Sequence, residues 1–280
     1  MITKPPTTHE RQIEIMKSRG CVIDDEELCR NVLVRVNYYR LTAYFLPYRN
    51  TDRETYRSGT NFTQVYQIYE FDRELRILLL SVTEEIETYI RAKTAYYHAH
   101  KYGPLGYENS SNYNIRHDHS TFTDRIHGEI SRNKDVLFVK HHIDNYSGKL
   151  PIWVAIELFS FGMLSIFFSD LLPADQKILA KDMFGLDDRV IRSWLHCCTN
   201  LRNICAHYGR LYFRDLGAIP ALPKKFRFSF DRKLFSTIMM LNLMYPDREK
   251  WRTSFVNAFV ALFERYQEYI DLNHIGFPGN

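Results

Sequence analysis

Glycine is scarce in this chain, with 12 in 280 residues, and its five cysteines include no CxxC pair. The first shortage argues against a turn-rich all-β fold, which spends glycine on tight turns. The second excludes a disulfide scaffold and the paired-cysteine spacing of a structural zinc site. Long hydrophobic runs are missing too. The most apolar stretch, residues 152–168, carries Glu157, Gly162 and two serines, whereas a bilayer span needs about 20 apolar residues. It reads as one buried core helix, and no membrane partner is expected. The N-terminal residues lack the apolar run of a secretory signal, and an odd cysteine count suits a reducing compartment, so a cytoplasmic location is expected. No fixed-period repeat is found, and alternating apolar and polar runs are few.

What remains is ordinary globular usage, 45% hydrophobic and 25% charged, with an excess of aromatics from 19 Tyr and 19 Phe. The expected fold is all-α, a bundle of eight or so helices. Thr7-Thr8-His9-Glu10 has capping-box spacing, and the helix it opens ends at Gly20. Asp24-Asp25-Glu26-Glu27 starts a second helix that runs into Asn37-Tyr38-Tyr39-Arg40-Leu41. From Asn61, a candidate N-cap, to about Lys101 there is no Pro or Gly, and apolar residues recur every three or four positions. Residues 103–120 are polar and read as a flexible loop, with His117 and His119 exposed to solvent. A charged helix to about His142, the core helix after Pro151, a helix from Pro173 to Phe184 and a long one from about Asp187 follow. Two further helical patterns lie between Asp231 and Asn273, separated near Pro246. No linker clearly divides the chain. Residues 1–60 read as an N-terminal helical segment packed on a main helical domain, 61–280, that carries the polar insert.

The net charge of +4 (37 basic, 33 acidic) is too small in total to indicate a nucleic-acid partner. Its distribution is not. Between Gly185 and Lys233 there are ten basic residues and four acidic ones, a local +6 that leaves −2 for the rest. Residues 187–214 of that region read as one helix. Val190, Trp194, Cys198, Leu201, Cys205, Tyr208 and Leu211 form its apolar face, and His196, Asn200, Asn203, His207, Arg210 and Arg214 the opposite polar stripe. Arg202 and His207, five apart, diverge by about 140° on an ideal helix, and Gly209 would allow a bend there. An arginine, a histidine and an asparagine beside further cations suit metal-free cleavage of an RNA phosphodiester by its own 2′-hydroxyl. Imidazole exchanges protons near neutral pH, and a guanidinium meets charge building on phosphate oxygens. Spacing alone leaves the bland alternative open, a surface arginine and a hydrogen-bonded helix histidine.

The run Leu201-Arg202-Asn203-Ile204-Cys205-Ala206-His207, followed by Arg210-Leu211-Tyr212, resembles the Arg-x4-His signature of HEPN ribonucleases, in detail the abortive-infection proteins of the AbiD/AbiF group. Lys4-Pro5-Pro6, the Asn37–Leu41 segment with Tyr44-Phe45-Leu46-Pro47, the Tyr69–Arg76 run and Pro151-Ile152-Trp153 resemble that group in the same order, over roughly residues 4–215. The resemblance implies a HEPN-type helical bundle with additional N-terminal helices, and a metal-independent endoribonuclease that halts growth of an infected bacterium. It assigns catalysis to Arg202 and His207, with Asn203 in support, and implies a homodimer that completes a composite site. The family tends toward Asn where this chain has Phe213, which puts an auxiliary polar contact there in doubt.

Arg210, Arg214, Lys224, Lys225 and Arg227 are the candidate RNA-binding cations, with Phe226 and Phe228 interleaved. The 224–228 strip reads equally as a solvated loop with aromatics packed back on the core. Tyr38, Tyr39 and Arg40 offer a stacking surface, although their interleaving with Val36, Leu41 and Phe45 favours packing. Arg91 and His98 form a looser pair that would make a second motif, against pairing of Arg91 with Glu84 or Glu87. His196, Cys197, Cys198 and Cys205 lack metal-site spacing, so no metal or other cofactor is expected. The alternative function is a binding module that holds a structured noncoding RNA without cutting it.

Overall fold

The structure is a computed structural model that describes residues 5–278 except 224, 225, 227 and 228. The strip Lys224, Lys225, Arg227 and Phe228, and Lys4, therefore lie outside the described residues. Those described fold as all-α, with three isolated β-bridges and no strand.

The spine is α4 (Phe62–Tyr102), 41 residues and so about 60 Å long. Asn61 starts it by accepting from the amides of Thr63 (2.8 Å) and Gln64 (3.4 Å), two donors that lack partners within the first turn. Phe62, Val65, Ile68, Phe71, Leu75, Leu79, Val82, Ile86 and Ile90 line its buried face. Before it come α1 (His9–Ser18), capped by Thr8, α2 (Glu26–Arg35), capped by Asp25, and the short α3 (Tyr38–Thr42), capped by Asn37. After it come α5 (His119–Arg132), α6 (Leu137–Tyr146), α7 (Ile152–Ala155), α8 (Phe161–Asp170), α9 (Pro173–Phe184) and α10 (Asp188–Ala206). The chain closes with α11 (Leu234–Met244), α12 (Arg248–Lys250), a π-helical turn over Trp251–Val256 and α13 (Asn257–Tyr266). One hydrophobic cluster runs from Ile13 to Ile275, and α10 packs into it between α4 and α8.

Three expectations need correction. The apolar stretch after Pro151 is two helices rather than one. Phe159 is extended, and Ser160 caps α8 by accepting from the Met163 amide. Arg91 on α4 donates to the carbonyl of Phe159, which the break leaves without a helical partner, and to that of Ile156 (2.6 Å), which also accepts from the Phe159 amide (3.1 Å). The charged helix before it also divides, into α5 and α6. The 103–120 segment is irregular but not loose. Tyr107 and Tyr113 are buried, and His117 is not solvent-exposed: its side chain is 2% accessible, stacks on Tyr113 and contacts Asp170 at 2.9 Å and His119 at 3.1 Å. It lies four residues after Tyr113, but the segment between them is not helical, so only tertiary packing reveals the contact.

Candidate active site

The helix that carries the motif stops five residues earlier than its apolar period suggests. Residues 208–214 are not helical, because the chain leaves α10 through a Schellman turn. The Gly209 amide donates to Ile204 O (2.7 Å) and the Tyr208 amide to Cys205 O (3.1 Å). His207 is the C-cap, and the left-handed residue is Tyr208 (φ 58°) rather than a glycine. Gly209 serves a different need. A Cβ there would meet Ile204 Cγ2 at 3.0 Å and Ile204 O at 3.1 Å, so the close return of the chain requires its absence.

What holds this exit is a buried carboxylate from far away in the sequence. Asp72 on α4 accepts from the amides of Leu211 (3.0 Å) and Tyr212 (2.7 Å), from the Tyr44 hydroxyl (2.6 Å) and from the Arg76 guanidinium. Burial pushes the Asp72 carboxyl up, while Arg76, Tyr44 and the two amides pull the other way. Burial opposes the charge on Arg76, and Asp72 together with Tyr44 and Tyr69 more than restores it. Arg40 on α3 donates to Tyr208 O (2.6 Å), and Arg76 to Gly209 O (3.4 Å). Three of the segments quoted above, around Arg40, Tyr44 and Asp72, thus converge on the residues just after His207. The sequence pattern assigns no role to Tyr44 or Asp72, and offers Arg40 only as part of a stacking surface. The available signal was a charged pair, Asp72 and Arg76, at i,i+4 within the apolar stripe of α4.

His207 is exposed at the end of α10, Asn203 is exposed one turn earlier, and Arg202 is half-buried. Among the described residues, none of these three side chains has a hydrogen-bond or ion-pair partner. Arg202 lines an open groove of about 440 Å³ against α4, whose wall carries Glu84, Glu87, Arg91 and Glu157. The motif arginine therefore faces carboxylates as well as solvent, and among the described residues the lining of this groove is not uniformly basic. Two nearby hollows are more cationic. One of about 370 Å³ is bounded by Arg40, Arg73, Arg76 and Tyr208, and one of about 450 Å³ by Tyr39, Arg40 and Arg210.

The candidate RNA-binding cations Arg210 and Arg214 leave the helical stripe once α10 ends. Arg210 donates to Tyr212 O (2.8 Å) and Phe213 O (2.7 Å), and Arg214 to Arg210 O (3.3 Å). Phe213 is in the left-handed region (φ 51°) and packs edge-on against His274. Tyr39, expected to pack inward, is instead 86% exposed.

The second Arg/His pair is no site. Arg91 is ion-paired with Glu87 and occupied by the two carbonyls at the α7–α8 break. His98 is fully buried, neither ring nitrogen has a partner among the described residues, and burial pushes its pKa down to about 4. Cys197, Cys198 and Cys205 are buried with their thiols pushed up. Among the described residues no three His, Cys, Asp or Glu side chains are grouped as metal ligands.

A family model for Abi-like proteins matches residues 31–213, well over half of the chain. The chain belongs to the Abi-like protein family. That membership makes it an abortive-infection protein. The match begins after α1 and ends one residue beyond Tyr212, so it spans the Asp72 clamp and the Arg202/His207 helix of this Abi-like protein and leaves Lys4-Pro5-Pro6 outside. Searches of curated proteins and of solved structures return no significant match.

Proposed function

We propose that this Abi-like protein is a metal-independent endoribonuclease of the HEPN type, and that RNA cleavage is how it acts in abortive infection. The observation that carries the reading is the state of Arg202 and His207. Both stand on one rigid helix end whose exit is clamped by a buried carboxylate, and both side chains are free to engage a ligand. Polar groups without a hydrogen-bond or ion-pair partner among the described residues, but held by a well-anchored backbone, are arranged for binding rather than for stability.

In the proposed reaction neutral His207 takes the 2′-hydroxyl proton while the 2′ oxygen attacks the adjacent phosphorus. The bond from phosphorus to the 5′ oxygen breaks, and an imidazolium returns a proton to that leaving oxygen. The products are a 2′,3′-cyclic phosphate and a 5′-hydroxyl, so atoms and charge balance without a further reactant. Arg202 stabilises the charge that builds on the non-bridging oxygens, worth roughly 2–4 kcal/mol in sites of this kind. Asn203 orients one of the two. A two-fold homodimer would bring two copies of the motif together and separate the base from the acid between two His207 rings.

The test is cleavage of cellular RNA by purified protein in EDTA, with end-group analysis of the fragments. Cyclic phosphate ends, lost on substitution of His207→Ala in a folded protein, support the reading. A strict magnesium requirement overturns it. Tight RNA binding with no cleavage of any substrate replaces it with the non-cleaving module.

A further inference from the structure

Two tyrosines on this surface are placed against the usual economy of a folded chain. Tyr39 is 86% and Tyr208 68% exposed, and Tyr208 also holds a left-handed backbone (φ 58°) that L side chains disfavour. Neither ring contributes to the core. Between them lies Arg40, which bounds both hollows and fixes the Tyr208 carbonyl at 2.6 Å. Arg40 and Arg210 donate only to backbone carbonyls and have no carboxylate partner among the described residues. Arg73 and Arg76, by contrast, are ion-paired to Glu70 and Asp72. The surface thus presents two open aromatic faces with two uncompensated guanidinium groups, and one of those faces belongs to the residue directly after His207.

We infer that this surface is an entry track for unpaired RNA, with bases stacked on Tyr39 and Tyr208 and the intervening phosphates held by Arg40 and Arg210. The inference rests on the ribonuclease reading and names its substrate class. Stacking on an isolated ring needs a base with a free face, which a duplex buries, so the track selects single-stranded segments. Tyr208 directly follows His207 in the chain, so a base stacked on its ring enters on the His207 side of the helix end. The carboxylates Glu84 and Glu157 at the Arg202 end of the groove repel a backbone that runs on past the scissile phosphate, which gives the track a direction.

Binding is measured on the full chain carrying His207→Ala, by fluorescence anisotropy of a short labelled RNA, alone and annealed to its complement. Single-stranded RNA is expected to bind at least tenfold more tightly than duplex. Tyr208→Gly removes the ring while relieving the left-handed backbone, and Tyr39→Ala removes the other. Each is expected to weaken single-strand binding about tenfold, the usual worth of one stacked base, and Tyr39→Phe to restore it. Equal binding of duplex, or unchanged binding without either ring, overturns the track while leaving cleavage by the wild-type protein as a separate measurement. If the wild type cuts RNA that the His207→Ala chain does not bind, the track is also wrong. If the wild type neither binds nor cuts, the ribonuclease reading itself fails.

Discussion

Two arginine and histidine pairs lie on neighbouring helices of this protein, and the fold has put them to opposite uses. On α4, Arg91 is spent on Glu87 and on the carbonyls of Ile156 and Phe159 at the break between α7 and α8, and His98 is sealed among Tyr102, Tyr113 and Phe167. On α10, Arg202 and His207 have no such engagements, and the backbone beneath them is held by Asp72, Arg76 and Arg40. Spacing along a helix does not separate a structural pair from a chemical one. The separation lies in whether the polar groups are consumed internally or held ready by others.

That contrast can be broken by experiment. Replacing His207→Ala or Arg202→Ala is expected to lower RNA cleavage by roughly 10²–10⁴-fold with the thermal midpoint almost unchanged. A variant that keeps its activity would remove the chemical half of the comparison. Asp72→Asn is expected to cost about 3–5 kcal/mol in urea unfolding, because Arg76 is left as a buried charge without its counterion. Asp72 should also be needed for cleavage at temperatures where the variant is still folded, since the exit from α10 loses its clamp. Arg91→Met should behave inversely to Arg202→Ala, losing about 2–4 kcal/mol of stability through an unpaired Glu87 and a bare Phe159 carbonyl while cleavage per folded molecule survives. A loss of chemistry larger than the loss of fold would place Arg91 in the site after all.

His98 supplies the pH dependence. Its folded pKa of about 4 lies below the unfolded value near 6.5, so the unfolded chain binds the extra proton first. The corresponding stability is complete above pH 6.5 and is lost as pH falls toward 4, by up to about 3 kcal/mol. In His98→Leu that slope should disappear from urea midpoints taken between pH 7 and 4, at little cost at neutral pH because no hydrogen bond is given up. An unchanged slope would mean that another group carries it. The smallest effect is expected for Tyr208→Gly, a gain of about 1 kcal/mol from relief of the left-handed backbone, read as a higher thermal midpoint. A loss instead would show that the tyrosine ring is a packing residue.

Much of the fold was legible. The cap at Asn61, the acidic start of α2, the Pro at the start of α9 and the apolar period of α4 are local signals that survive in the structure, because each depends on residues within one or two turns, whereas α1 is capped by Thr8 and not by Thr7, the residue three before Glu10. The errors share a cause. Tyr208 and Leu211 continue the apolar period of α10, and Leu211 is buried, yet neither is helical; burial after the turn mimics helical spacing. The break at Phe159 and Ser160 hides in an apolar run for the same reason. Of the site residues, Arg202, Asn203 and His207 were legible from the motif, whereas nothing in the sequence pointed Asp72, Tyr44 or Arg40 at the backbone after His207. Lys224, Lys225 and Arg227 lie outside the described residues.

The amino-acid sequence by itself determined that the chain is helical and which three side chains, Arg202, Asn203 and His207, form the candidate site, since periodicity, capping and a short motif are properties of neighbouring residues. Only the tertiary structure decided which Arg and His remain free, where α10 ends, and that two tyrosines stand open beside an unneutralised Arg40. Those outcomes depend on a carboxylate reaching amides 139 and 140 residues away, and on which carbonyls are left bare by a break in a different helix. A polar group is available for chemistry only after every nearer demand on it has been met elsewhere, and that balance is struck in three dimensions.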